Sequence, residues 1–264
     1  MIDGTAQASG LRTRFAGLLA PGLPADRLRA LAKALGLTPM AEPAGVAPLV
    51  ALLGGRGWAG PDAGDSADMD KAALWLPPVA AWIEPPAAAD AAALTWLLPP
   101  LLAEAAGSDL HLSLTTGTAY DLQLGGKLTA ALGARHPLAE ERRDDIELAL
   151  HEAVSNALVH GNLGVVAMRE PSSRELDRFS HDLDDRLADP VLAARRVAVA
   201  IRTAPAEDGR TLATMDIIDE GAGFTPAPRH GSGASGRGLD LIGSVADELE
   251  IGDGGRRIRL RFRL

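Results

Sequence analysis

The segment 144–160 carries polar side chains spaced four residues apart within an otherwise apolar helical pattern. Glu152, Asn156 and His160 would line one edge of the helix, because residues four apart share a helical face. A carboxylate at the rim of a pocket can accept a proton from a nucleophile, and an amide oxygen is a hard ligand suited to Mg²⁺. The same pattern also fits a solvated helix face, so by itself it leaves both interpretations open.

Two glycine-rich segments follow farther along the chain. In the first, a predicted strand with the apolar residues Met215, Ile217 and Ile218 leads into Asp219, Gly221 and Gly223. A carboxylate at the end of a strand can accept a hydrogen bond from an adenine amino group, and neighbouring glycines let a planar base approach the backbone. The alternative is an ordinary turn after a strand, where Asp and Gly are common.

The second glycine-rich segment, 231–238, precedes a helix that is predicted to begin near Leu239. Glycines that lead into a helix N-terminus present free N–H groups, which can bind phosphates. No Gly-Lys-Ser/Thr follows, so the segment is not a P-loop, and its position after a carboxylate-bearing strand does not fit the first turn of a Rossmann fold.

In order and spacing, these three segments resemble the N, G1 and G2 boxes of the GHKL (Bergerat-fold) ATPases. The sequence Glu-Ala-Val-Ser-Asn-Ala at 152–157, followed by His-Gly at 160–161, is most similar to the anti-sigma-factor serine/threonine kinases. The resemblance covers about 109–264. It implies that 108–264 form an ATP-binding kinase domain with the Bergerat fold, an α/β sandwich of two layers in which helices cover a mixed sheet.

The resemblance also implies roles for individual residues. Glu152 would be the general base that activates a partner's serine hydroxyl, and Asn156 would bind Mg²⁺ and, through it, ATP. Asp219 would bind adenine, with Gly221 and Gly223 beside it. The residues of the last segment that would bind the nucleotide are Gly236, Arg237, Gly238 and Leu239. Members of this family often have Thr or Ser near the start of the last strand, and this chain has Gly-Gly-Arg-Arg at 254–257 instead.

The function that the resemblance implies is that of a Mg-ATP-dependent serine/threonine protein kinase. Its substrate would be a small anti-sigma-factor antagonist in a bacterial partner-switching pathway, with a sigma factor as a second partner. Two alternatives stay open: a non-catalytic ATP-binding module that docks a partner, and a histidine-kinase-like module that acts on a separate phosphoacceptor protein. Homodimerisation is a further open interpretation.

The first 107 residues predict a separate small α/β domain, because strands alternate with helices. The predicted strands lie at 14–20, 48–53, 74–76 and 79–83, the helices at 25–37 and 88–106 (the second interrupted by prolines), and a loop at 57–70. This order of elements resembles a degenerate response-regulator receiver. A receiver carries a phosphoacceptor Asp at the end of its third strand, where this chain has Gly54-Gly55. We therefore expect docking or dimerisation rather than phosphorylation.

The C-terminal half predicts strands at 109–114, 195–202, 211–218 and 257–264, and helices at 120–132, 144–160 and 239–249. An insert at 163–195 contains Ser172 and Glu175 at capping-box spacing, which predicts a helix. This helix either covers the module or serves in partner docking or dimerisation. The last strand alternates arginine with apolar residues. This is typical of a half-buried strand with one solvated face, and the basic stripe could also bind an acidic partner.

The composition limits the classes of partner and the cellular compartment that we expect for this protein. The 264 residues carry a formal net charge of −9, and 47% of them are hydrophobic, so the chain can build cores but is repelled by nucleic acid and anionic membranes. Cysteine is absent, which excludes disulfides and thiolate metal sites and fits a cytoplasmic protein. The apolar stretch 87–106 contains Asp90, two prolines and Glu104, which a bilayer penalises.

Overall fold

The computed structural model describes residues 14–54, 71–86, 91–168, 172–224 and 237–264, and the loop predicted at 57–70 lies outside them. By its internal contacts the chain divides into two units, Met1–Leu114 and Thr115–Leu264. Within the described residues, no helix combines the length and the apolar character that crossing a membrane requires.

Five parallel strands form the sheet of the first unit, in the order β2-β1-β3-β4-β5. This is the flavodoxin-like order of doubly wound sheets. The central strands β3 and β4 are buried at every residue, as expected inside a parallel sheet. The strands are β1 (Gly17–Leu19), β2 (Thr38–Met40), β3 (Leu49–Leu52), β4 (Val79–Ile83) and β5 (Leu110–Thr115).

The helices of this unit are α1 (Ala25–Leu35), a 3₁₀ turn (Ala72–Trp75) and α2 (Ala91–Ala106). Helix α2 continues through Pro99 and Pro100, so the predicted interruption is wrong. Tertiary packing can outweigh the missing backbone hydrogen bonds of two prolines. One side of α2 is packed into the core of the unit through Leu94, Leu98, Leu102 and Ala105.

Two strands of the first unit differ from the prediction. The strand expected at 74–76 is wrong, because these residues belong to the 3₁₀ turn and the link that follows it. The carbonyl of Leu74 in this turn accepts a hydrogen bond of 2.7 Å from the indole N–H of Trp82. The prediction missed β2, which contains Pro39 and lies at the sheet edge, where proline is tolerated.

Four antiparallel strands form a sheet in the second unit, in the order β6-β7-β9-β8. The strands are β6 (Arg196–Pro205), β7 (Thr211–Asp219), β8 (Glu248–Gly252) and β9 (Arg257–Arg263). The helices are α3 (Thr116–Asp121), α4 (Leu124–Gly133), α5 (Glu140–Ser155), α6 (Ser173–Ala188), α7 (Pro190–Ala193) and α8 (Arg237–Val245). Both units combine strands with helices, so the predicted α/β class is confirmed.

Two helices predicted in the C-terminal half differ from the prediction. The helix expected at 120–132 is two helices, α3 and α4, because Gln123 between them has a positive φ of 47°. The helix expected at 239–249 ends at Val245, and Glu248 begins β8. The strand expected at 109–114 is confirmed as β5, which pairs with β4 in the sheet of the first unit.

The insert forms helix α6, which covers the end of the module as the first of its two interpretations predicts. The hydroxyl of Ser172 accepts a hydrogen bond from the backbone N–H of Glu175 at 3.3 Å, so the predicted N-cap forms. The inner side of α6 and a residue of α7 pack against Val159, Leu163 and Val165. These packing residues are Phe179, Leu183, Leu187 and Leu192.

Acidic neighbours neutralise the arginines of β9. Arg259 contacts the buried carboxylate of Asp216 at 2.7 Å, and Arg202 contacts the same carboxylate. The other arginines of β9 form ion pairs that join Arg257 with Glu250 at 3.9 Å, Arg261 with Glu248, and Arg263 with Asp208 at 3.8 Å. These pairs favour a solvated sheet face over a binding site for an acidic partner.

Candidate functional site

Helix α5 holds the first candidate segment at the edge of the core. Its predicted apolar stripe is buried, while Glu152 and Asn156 are half-buried. The alternation of buried and partly exposed positions fixes the rotation of the helix, because residues three and four apart share a face. The buried residues are Ile146, Ala149, Leu150, Ala153, Val154, Ala157 and Leu158.

The helix does not stop at Gly161 as the sequence predicts. It widens into a π-type turn, Asn156–Asn162, which we call the wide turn. The backbone N–H of Leu163 bonds to the carbonyl of Leu158, five residues earlier, at 2.9 Å. One additional residue in a helical turn rotates the following residues by roughly 100°, and such turns occur often at functional sites.

The second candidate segment lies directly on the wide turn. A Cβ atom added to Gly161 would be 2.6 Å from Cγ of Asp219, and one added to Gly221 would overlap the carbonyl oxygen of Gly161. Glycine at 221 lets the backbone at the end of β7 approach the carbonyl of Gly161, and glycine at 161 leaves room for the carboxyl group of Asp219. The two segments are therefore brought together by contact between their backbones.

The carboxyl group of Asp219 is half-buried at this junction. One oxygen, Oδ1, accepts a hydrogen bond from the backbone N–H of Gly221 at 2.8 Å, and within the described residues none is donated to Oδ2. Burial raises the pKa of this carboxyl group, and the Gly221 N–H and the charges of Arg256 and Arg195 oppose that rise. The arrangement leaves one carboxylate oxygen able to accept a hydrogen bond from a ligand.

The third candidate segment meets the first at the start of α8. A Cβ atom added to Gly238 would be 2.8 Å from Oε2 of Glu152 and 3.3 Å from Nδ2 of Asn156. The N–H groups in the first turn of a helix have no partners within the helix and favour anions. The first turn of α8 therefore combines a preference for anions with an adjacent carboxylate and amide.

Asn156 carries a buried amide nitrogen that has no hydrogen-bond partner within the described residues. A buried donor without an acceptor is uncommon in folded proteins, so a bound ligand is a candidate for the acceptor. A Mg-nucleotide fits this set of groups, because amide oxygens bind Mg²⁺ and amide nitrogens donate to phosphate oxygens. The described residues contain no group of three or more His, Cys, Asp or Glu side chains that could hold a metal by themselves.

The remaining predicted site residues have different positions. Gly236 lies outside the described residues, while Arg237 begins α8 and Leu239 is half-buried within it. Gly223 has a φ of 75°, and a Cβ atom added there would overlap the carbonyl oxygen of Gly254. The Gly-Gly sequence that replaces the family's usual Thr or Ser therefore forms a turn that supports the Asp219 segment.

Sequence reasoning missed Asn162, which is completely buried at the end of the wide turn. Its side chain bonds to Thr116, to the carbonyl of Arg196 at 2.9 Å and to the backbone N–H of Glu220 at 2.8 Å. An asparagine after glycine at a helix end is typical of a helix stop, so the local sequence gave no signal of these contacts.

Comparison with known families agrees with this geometry. A family model described as a histidine kinase-like ATPase domain matches residues 123–262, which is more than half of the chain. The matched range contains all three candidate segments. A search of curated proteins finds no match. The chain therefore belongs to the family of the histidine kinase-like ATPase domain.

Proposed function

We propose that the protein is a Mg-ATP-dependent serine/threonine kinase of the anti-sigma-factor type, which phosphorylates a small antagonist protein in a bacterial partner-switching pathway. A sigma factor is its proposed second partner, and the cytoplasm is its proposed location. The observation that carries the proposal is the position of the Glu152 carboxylate, which lies beside Asn156 and the first turn of α8. A base at that position adjoins the part of the site that favours phosphate.

In the proposed complex, Asp219 accepts a hydrogen bond from the adenine amino group through the carboxylate oxygen that Gly221 leaves unbonded. Asn156 binds Mg²⁺, which supplies neutralisation of the phosphate charge. The N–H groups at the start of α8 bind phosphate oxygens. The proposed phosphate-binding residues are Gly236, Arg237, Gly238 and Leu239.

Glu152 acts as the general base in this proposal. Its carboxylate accepts the proton of a serine or threonine hydroxyl while the hydroxyl oxygen attacks the γ-phosphorus and ADP leaves with the electron pair of the broken bond. Positioning and charge neutralisation provide most of the catalysis in phosphoryl transfer. A carboxylate that lies beside the phosphate-binding turn meets the positional requirement for this role.

Phosphate transfer from labelled ATP to candidate antagonist proteins tests the proposal. We expect Glu152→Gln to retain ATP binding and to lower the transfer rate by about 10²- to 10⁴-fold, the usual contribution of a general base. The matched control is His151→Gln, which changes the exposed adjacent residue and should leave transfer unchanged.

The chemical stability of the product separates the remaining alternatives. Phosphoserine and phosphothreonine resist acid, whereas acid-labile phosphohistidine would identify a histidine-kinase-like module instead. ATP binding without any transfer, combined with partner binding that Glu152→Gln does not affect, would identify a docking module.

For the first unit we propose a receiver-like fold that has lost phosphorylation and serves in docking or dimerisation. The parallel strand order β2-β1-β3-β4-β5 supports the fold, since receivers share this order. Strand β3 is followed by Leu53 and Gly54, where a receiver carries its phosphoacceptor. Incubation with acetyl phosphate should therefore add no phosphate to the protein. Detection of an aspartyl phosphate by mass spectrometry under acidic conditions would contradict the proposal.

A further inference from the structure

Asn162 connects the wide turn to three other segments of the second unit. Its amide nitrogen donates to the hydroxyl of Thr116 at 2.8 Å and to the carbonyl of Arg196 at 2.9 Å, and its amide oxygen accepts from the backbone N–H of Glu220 at 2.8 Å. The side chain is completely buried, as is that of Thr116. The bond to Thr116 is therefore buried and the other two bonds are partly buried, which reduces competition from water.

Further hydrogen bonds hold the partners of Asn162 in place. The backbone carbonyl of Asn162 accepts from the guanidinium of Arg195 at 2.5 Å, and the hydroxyl of Thr116 donates to the carbonyl of Arg195 at 2.9 Å. The carboxylate of Glu220 accepts from the backbone N–H of Arg196 at 2.8 Å. Glu220 is thus held at its backbone N–H by Asn162 and at its side chain by Arg196.

Glu220 follows Asp219 directly in the chain, so the bond from Asn162 acts one residue away from the carboxylate proposed to bind adenine. The other support of that carboxylate is the N–H of Gly221. Gly161, which contacts the same carboxylate, precedes Asn162 in the wide turn. Asn162 therefore ties together both backbone segments that determine the position of Asp219.

We propose that Asn162 is a positioning residue that aligns the Asp219 carboxylate with the 6-amino group of the purine and so determines the preference for adenine over 6-oxopurine nucleotides. The inference rests on the proposed binding of ATP by Asp219. Asn162 does not touch the nucleotide in this proposal; it acts through the backbone at Glu220.

The preference for ATP over inosine triphosphate, measured by calorimetry with Mg²⁺, tests the inference. Inosine triphosphate carries an oxygen where ATP has the 6-amino group, so the affinity ratio reports on the Asp219 contact. We expect Asn162→Ala to reduce this ratio by about tenfold or more, the effect of losing one well-made hydrogen bond. Thr116→Val removes one acceptor of Asn162 and should also reduce the affinity ratio. If Asn162→Ala does not fold, the Thr116→Val variant tests the inference instead.

Leu183→Ala is the matched control, because Leu183 packs against the same end of the wide turn without taking part in the hydrogen bonds. It should lower thermal stability but leave the affinity ratio unchanged. Asp219→Asn provides the second control: in that background, Asn162→Ala should have no further effect on the ratio.

The outcomes separate this inference from the proposed function. If the wild-type protein prefers ATP and both Asn162→Ala and Thr116→Val keep that preference, the inference is overturned while the proposed adenine contact stands. A fall in the ratio that Leu183→Ala also causes would overturn it too, since general loosening would then explain the effect. If the wild-type protein does not distinguish the two nucleotides, both the adenine contact and the inference are refuted.

Discussion

Gly161→Ala should lower the affinity for ATP while leaving the stability of the protein almost unchanged. The three atoms nearest to an added Cβ all belong to the carboxyl group of Asp219, with Cγ at 2.6 Å and both oxygens at 2.7 Å. Ordinary contact begins near 3.4 Å, so the carboxyl group must retreat by about 0.7–0.8 Å. A displacement of that size misaligns a hydrogen bond to a ligand, since such bonds weaken steeply away from their preferred geometry.

The expected effect follows from one charge-assisted hydrogen bond. Such a bond contributes about 1.5–3 kcal/mol, so ATP affinity should fall by about 10- to 100-fold. Stability should change by no more than about 1 kcal/mol, because alanine in a helical turn gains up to that amount over glycine and offsets the rotation of the Asp219 side chain. Calorimetric titration with Mg-ATP and urea unfolding measure the two quantities.

Gly133→Ala is the matched control for this experiment. It makes the same substitution at the end of α4, where the nearest side-chain atom to the new Cβ belongs to Leu138 at 3.6 Å. This variant should bind ATP as the wild type does. ATP affinity that is equally unchanged in Gly161→Ala would refute the reasoning, because the carboxylate would then not need its observed position.

Three further predictions concern single groups. Asp219→Asn should weaken ATP binding yet stabilise the free protein at pH 7, because burial raises the pKa of this carboxyl group and the folded state therefore disfavours its charge. The stability of the wild type should approach that of the variant as the pH falls toward the ordinary aspartate pKa of 3.8, as urea unfolding at several pH values would show. Asp216→Ala should cost about 1–3 kcal/mol in urea unfolding and should leave ATP affinity unchanged. The cost is below that of breaking a fully buried ion pair, because the guanidinium groups of Arg202 and Arg259 are partly hydrated. Pro100→Ala, at an exposed position inside α2, should raise the melting temperature of the first unit by restoring a backbone hydrogen bond worth about 1 kcal/mol.

The sequence predicted the parts of the fold that local periodicity determines. The apolar stripe of α5 and the alternating strand β9 follow the 3.6- and 2-residue periods, and both have the expected burial. Strands β6 and β7 form where strands were predicted. The carboxylate of Asp219 was predicted at a strand end and lies there. These features depend on neighbours close in sequence, so a pattern along the chain contains the information.

The features that the sequence did not reveal depend on distant contacts. The wide turn is supported by the bonds of Asn162 to segments 46 and 58 residues away, and no local pattern encodes them. Helix α2 continues through Pro99 and Pro100 because of packing against the core, not because of helix propensity. The acids that neutralise β9 come partly from β7 and β8, so the charge of its arginines could not be assessed from that strand alone.

The glycines of the Asp219 segment have a structural reason that does not involve a nucleotide. Gly221 is required because a side chain there would overlap the carbonyl of Gly161, and Gly223 has a positive φ and would meet the carbonyl of Gly254. Both glycines therefore serve contacts within the protein, which place the carboxylate of Asp219 at the edge of the wide turn. Substitutions at Gly221 or Gly223 should then reduce stability first and nucleotide binding only as a consequence, whereas Asp219→Asn should weaken nucleotide binding without lowering stability. Unchanged stability of a Gly221→Ala variant would contradict the requirement for glycine at this close approach.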